Sequence, residues 1–164
     1  MISRQIKRVI FSMLLIFGMP GLCMAQKEIP LEDTRPESRF FDGFVFFADA
    51  GGISLKSEKI RFDSRLDDHQ MGREIINQLF QGPGDPDLKP LWPETVTLNA
   101  FFIADDGKAY VDLDIPSRMR QNMDTRQELL TVYSMVNSLT LNIPRIKMVK
   151  IVVGGKAART LAGH

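Results

Sequence analysis

Apolar positions change their spacing several times along the chain, and each change predicts an element. From Leu129, apolar residues return at Val132, Tyr133, Val136, Leu139 and Ile143, steps of three and four that place them on one face of a helix. Thr125-Arg126-Gln127-Glu128 precedes the run with capping-box spacing, in which the Thr hydroxyl and the Glu carboxylate serve amides of the first turn. Asn142 and Pro144 are expected to stop the helix, Asn as a left-handed C-cap and Pro because it lacks an amide donor. Residues 147–153 then set Val149, Ile151 and Val153 on one face, with Val152 making the other partly apolar, as an interior strand requires.

Upstream, residues 40–48 set Phe44, Phe46 and Ala48 against Val45 and Phe47, and Asp49-Ala50-Gly51-Gly52 supplies a tight turn into a returning strand at 53–62. Ile53 and Leu55 are in one phase and Ile60 and Phe62 in the other, which predicts a bulge or break near Ser57. Asp67 or Asp68 can cap a helix, with Gln70 three residues after Asp67; Met71, Ile75, Ile76 and Leu79 form its stripe, and Gln81-Gly82-Pro83 ends it. Residues 84–93 hold three prolines and Trp92 and read as a loop. Val96, Leu98, Ala100 and Phe102 alternate with Thr95, Thr97 and Asn99, as in a half-buried strand. Asp105-Asp106-Gly107 turns that strand into one carrying Ala109, Val111 and Leu113. The order is ββα-ββα-β. It predicts an α/β (α+β) domain with one mixed β-sheet and both helices on one face.

The first 25 residues differ from the rest: Arg4, Lys7 and Arg8 precede an apolar run from Val9 to Phe17. That pattern is a secretory signal peptide, too short to span a bilayer, with Cys23-Met24-Ala25 before Gln26. Cleavage after Ala25 is expected rather than lipidation at Cys23, because Leu22 stands where a lipoprotein signal carries a small residue. Three of the 21 basic residues and none of the 20 acidic ones lie in this leader, so the mature chain carries −2. Such a chain has no basic footprint for nucleic acid. Its single cysteine leaves with the leader, so an apolar core must hold it. Residues 26–39 read as a flexible linker and residues 40–164 as one domain.

Chemistry-bearing residues are sparse. Asp112 and Asp114 lie two apart on one strand face near Asp105 and Asp106, where paired carboxylates could do acid-base work; turn and solvent-face roles explain them more simply. His69 and His164 have no ligand spacing, so no metal site is expected, and no serine sits in a nucleophile elbow. Gly154-Gly155-Lys156 lacks the longer loop and following helix of a phosphate cradle. Trp92 reads as a ring sealing its loop onto the core, with a binding anchor as the alternative. Asn137, polar within the 129–143 helix, is expected to bond a neighbouring loop, with a ligand contact as the alternative. Trp92, Asn137, Asp112 and Asp114 are thus the candidate binding residues, with no catalytic residue and no cofactor.

Several short motifs, in order, resemble the GerMN domain of spore germination and sporulation proteins. They are Phe46-Phe47-Ala48-Asp49, the helix ending Leu79-Phe80-Gln81-Gly82-Pro83, Ala109-Tyr110-Val111-Asp112-Leu113, Val136-Asn137-Ser138-Leu139-Thr140, and residues 149–155 with Thr160-Leu161-Ala162-Gly163-His164. The resemblance implies a small extracytoplasmic α/β module, similar to ring-building folds and mostly non-enzymatic. The expected function is a secreted or periplasmic accessory or scaffold protein that binds an envelope protein or itself. The alternative is a protein that binds or hydrolyses cell-wall peptidoglycan. No transmembrane segment is expected once the leader is removed.

Overall fold

The computed structural model describes residues 39–158 and 160–162. The leader, the linker up to residue 38 and His164 lie outside the described residues. β1 (Phe40–Asp49) and β2 (Leu55–Asp63) form the first hairpin, with a ladder from Phe40↔Asp63 to Ala48↔Leu55 that never shifts. The bulge expected near Ser57 is therefore not there. Of the two residues in the other phase, Ile53 belongs to the turn, where it is 66% exposed, and Leu55, the first residue of β2, is only partly buried opposite Ala48. Asp49 builds that turn: its carboxylate accepts from the Ile53 amide at 2.8 Å and the Ser54 hydroxyl at 2.7 Å.

α1 (Asp68–Gln81) begins with the expected capping box: Gln70 N–H donates to the Asp67 carboxylate at 2.8 Å, and Asp67 N–H donates to the Gln70 side chain at 3.1 Å. Met71, Gly72, Ile75, Ile76 and Leu79 are buried. Gly82 ends the helix at a φ of 83° that a side chain would strain. The following loop contains β3 (Leu88–Lys89), which pairs antiparallel with the end of β1.

β4 (Thr97–Ile103) and β5 (Lys108–Asp114) make the second hairpin, and here the alternation misleads. The register shifts between Leu98 and Ala100, and one extra residue turns the rest of the strand over. Val96 is buried and Leu98 partly so, but beyond the shift Phe101 and Ile103 are buried while Phe102 is 54% exposed. Ala109, Val111 and Leu113 of β5 are fully buried, as expected. α2 (Ser117–Asn122) is a short helix that the apolar pattern does not announce. α3 (Thr125–Asn142) leads to β6 (Met148–Val153), parallel to β5, and β7 (Lys156–Ala157) folds back on β6 over Gly154 and Gly155, both at positive φ.

The α/β class stands, and so does the order ββα-ββα-β for the main elements, to which β3, α2 and β7 are added. The strands divide between two sheets, β2-β1-β3 and the mixed β4-β5-β6-β7, rather than forming one. α1 packs on β1 and β4, α3 packs on β1 and β6, and the two helices touch each other. A single apolar core draws on all of them, with side chains such as Ile75, Leu79, Val111 and Leu139 fully buried, each worth about 1.5–3 kcal/mol.

Candidate interaction surface

α3 is capped one residue earlier than its sequence suggests. The Asp124 carboxylate accepts from Gln127 N–H at 2.8 Å, so Thr125 is the first helical residue and not the cap. Glu128 serves the tail instead, accepting from the amides of Leu161 and Ala162, while Arg120 Nε donates to the Leu161 carbonyl at 2.8 Å. At the other end Ile143 is the C-cap, with a φ of −122°, so Asn142 takes no left-handed conformation.

The helix is also rotated relative to the predicted stripe, whose Leu139 and Ile143 are buried but whose Leu129 and Tyr133 are not. Thr131, Ser134, Met135, Ser138 and Leu139 are buried, whereas Leu129, Tyr133 and Leu141 are 56%, 49% and 54% exposed. Hydrogen bonding explains the rotation. Ser138 Oγ accepts from Phe46 N–H at 2.9 Å, and the Asn142 amide accepts from Phe44 N–H at 3.0 Å and donates to the Phe44 carbonyl at 2.7 Å. Ser134 Oγ accepts from the Trp92 indole N–H at 3.0 Å and donates to the Thr131 carbonyl at 2.8 Å. Ser134, Ser138 and Asn142 are spaced by four, so they line up along one side of the helix. Ser134 faces the loop that carries Trp92, and Ser138 and Asn142 face the edge of β1 that β2 does not pair. Farther along that edge β3 takes over. An unpaired buried polar group costs about 1–3 kcal/mol. The Trp92 indole N–H is buried and the Phe46 amide partly so, and leaving them unpaired outweighs three apolar side chains that are each about half exposed. Gly43 permits the approach: a Cβ there would lie 2.4 Å from Asn142 Oδ1 and 2.7 Å from the Phe62 ring.

Turned outward, Leu129 and Tyr133 of that stripe join Leu141 at the surface. After Glu128 the helix carries no charged residue, and Leu129, Tyr133, Asn137 and Leu141 lie along its exposed side. Phe46, Asn137, Thr140 and Leu141 line a shallow depression of about 280 Å³ where the helix meets the outer face of β1, and Phe44 continues it at 39% exposed. The neighbouring charges are matched: Lys59 Nζ lies 2.7 Å from Asp42, and that bond lowers the Asp42 carboxyl below its ordinary range.

The four candidate binding residues occupy three separate places. Trp92 is 2% exposed, with its ring 5.8 Å from that of Phe80, and so seals its loop onto the core. Asn137 is half-buried on the outward side of α3. A bond from it to a neighbouring loop is expected from the sequence, whereas among the described residues the side-chain amide that reaches another element from this helix is that of Asn142, on Phe44 of β1. Asp112 and Asp114 lie on the outer face of the second sheet. Asp112 accepts from Gly155 N–H at 3.0 Å and so braces the β6–β7 turn, and Asp114 is exposed opposite Thr97. The same face carries an aromatic row: His69 lies 6.2 Å from Phe102, Phe102 lies 6.2 Å from Tyr110, and Lys150 Nζ lies 5.8 Å from the Tyr110 ring. His69 is thus half-buried against aromatic rings, not a plain surface residue.

The family model for Germane, described as sporulation and spore germination, matches residues 44–159. The chain belongs to the Germane family. Three solved structures share its fold. A lipoprotein candidate from Clostridium perfringens is 25% identical, with a TM-score of 0.52 over 76% of this chain and 80% of that one. The tandem GerMN domains of the sporulation protein GerM from Bacillus subtilis are 21% identical, with a TM-score of 0.56 over 76% of this chain and 45% of that one. The first GerMN domain of the same protein is 17% identical, with a TM-score of 0.55 over 73% and 86%. No curated protein matches the chain.

In this Germane domain sequence reasoning gave Ser134 and Ser138 no role and took Asn142 only for a helix stop. Their signal is legible afterwards: three small polar side chains at intervals of four, in a helix with no charged residue after Glu128.

Proposed function

We propose that this Germane domain is a non-catalytic module of the bacterial cell envelope, an accessory or scaffold protein that associates with an envelope protein or with itself. The observation that carries this reading is the uncharged, outward side of α3, continuous with Phe46 and Phe44 of β1. Interface cores are poor in charge and rich in aromatic and large apolar side chains, and a contiguous apolar patch on a soluble domain marks a place of contact. The basic and apolar leader supports export, with cleavage after Ala25, and a periplasmic or extracellular location. The 25% identical structure described as a lipoprotein candidate also supports an envelope location and keeps lipidation at Cys23 as the alternative processing. Among the described residues no helix is long and apolar enough to cross a membrane.

A photo-crosslinking residue placed at Tyr133 in exporting cells tests the reading. Adducts from position 133 and none from the exposed Asp114 are expected; adducts from neither overturn it. The aromatic row beside Asp112 favours a second reading, a surface for peptidoglycan on which sugar rings stack against Phe102 and Tyr110. Co-sedimentation with purified peptidoglycan that is lost in Phe102→Ala supports it. Turnover lost in Asp112→Asn with Asp114→Asn would add hydrolysis.

A further inference from the structure

We infer that the outward side of α3 is a two-fold contact with a second copy of this chain, the two α3 helices packing antiparallel about position 135. The inference rests on the association reading above and names its partner. Leu129, Tyr133, Asn137 and Leu141 are spaced by four along the exposed side of the helix. That pattern is symmetric about position 135. When an identical helix is laid across it in the opposite direction, Leu129 meets the partner's Leu141 and Tyr133 meets the partner's Asn137. Each large apolar end then faces its like, and the phenol faces an amide that can hydrogen-bond it. An isologous contact demands this self-complementarity, since the same patch must serve on both copies.

Charge argues the same way. α3 carries no charged side chain from Leu129 to Asn142, so two copies meet without like-charge repulsion along the contact. Phe44 and Phe46 extend the surface beside the helix. Taking aromatic side chains as 150–250 Å² and the others in proportion, the exposed parts come to roughly 500 Å² per copy, or about 1,000 Å² across the contact. This is at the lower bound for a specific interface, so the dimer is weak, with Kd on the order of 1–100 µM.

The test uses the full chain, purified from the envelope fraction of an expression host in a Cys23→Ser background. Sedimentation equilibrium over about 1–200 µM is expected to show a shift from monomer to dimer. Tyr133→Arg weakens the dimer at least tenfold and Phe102→Arg leaves it unchanged, with circular dichroism checking that both variants fold. Geometry is read separately: an equimolar mixture of Leu129→Cys and Leu141→Cys chains gives mainly the mixed disulfide, and each alone gives little. A dimer indifferent to Tyr133→Arg, or equal homodisulfide and mixed yields, overturns the contact. A monomer throughout whose position 133 crosslinks to a different envelope protein overturns the second copy as partner and leaves the association reading standing. A monomer with no adduct of any kind sinks both.

Discussion

Asn142 holds both backbone polar groups of Phe44, accepting its N–H at 3.0 Å and donating to its carbonyl at 2.7 Å, although 98 positions separate the two residues. A side-chain amide thus does for β1 what a neighbouring strand would do. It also protects an open strand edge from pairing with another chain.

Removing that amide tests the ladder. Asn142→Ala is expected to cost about 1–3 kcal/mol of stability, because Phe44 loses two hydrogen bonds worth about 0.5–1.5 kcal/mol each. Gly43→Ala should cost a similar about 1–3 kcal/mol by overpacking. Part of its clash is with Asn142 Oδ1 itself, so the double variant should be less damaged than the two losses added together. Urea unfolding of the four proteins checks both points, and strict additivity would show that the two residues do not meet as described.

Gly72 reverses the usual sign of a helix substitution. Replacing an interior helix glycine by alanine ordinarily stabilises by about 1 kcal/mol. Here a Cβ would lie 2.1 Å from the Phe101 ring, which is itself buried against α1. Gly72→Ala should therefore destabilise, by about 1–3 kcal/mol. A thermal melt decides the direction.

Thr131 is fully buried, and among the described residues its hydroxyl has no hydrogen-bond partner. Thr131→Val exchanges the hydroxyl for a methyl of similar shape and should stabilise by about 1–2 kcal/mol, the desolvation penalty of one unpaired group. A loss of stability would mean that the hydroxyl is hydrated.

Glu128 and Arg120 hold the backbone of the tail, and the Leu161 side chain is 3% exposed. Glu128→Ala should speed hydrogen exchange of the Leu161 and Ala162 amides strongly while leaving those of β5 protected, since the tail can open without the sheets. Equal protection in variant and parent would assign the latch to packing alone.

Acid should loosen the first hairpin before the rest. The Ile53 amide, then the Ser54 hydroxyl, lower the Asp49 carboxyl to about 2, and the Arg65 guanidinium and amide hold Asp63 well below the usual range. Both are depressed in the folded state, so their contribution is present above the unfolded carboxylate value of about 3.9 and fades as pH falls through the folded value. Asp49→Asn should be less stable than the parent at neutral pH, with the gap closing between about pH 4 and 2. A constant gap across that range would detach the turn from the carboxylate's charge.

Local pattern alone determined a good part of this domain. The capping box at Asp67, the stripe of α1, the buried face of β5 and the glycine turns all follow from spacing within a few residues, where the physics is local. β6, expected as an interior strand, instead meets β7 only at Val152 and Val153 and has no residue fully buried. The tertiary structure decided what depended on distant partners. β1 presented an unpaired edge, and satisfying Phe44 and Phe46 turned α3 until its serines faced inward and Tyr133 faced water. The register shift at Leu98 and Ala100 exchanged Phe102 for Phe101 in the core, and the tail drew Glu128 away from its cap. Apolar periodicity shows that a helix has a preferred side. Which side is buried was settled by hydrogen-bonding groups some ninety residues away, whose desolvation cost outweighed half-exposed Leu and Tyr side chains.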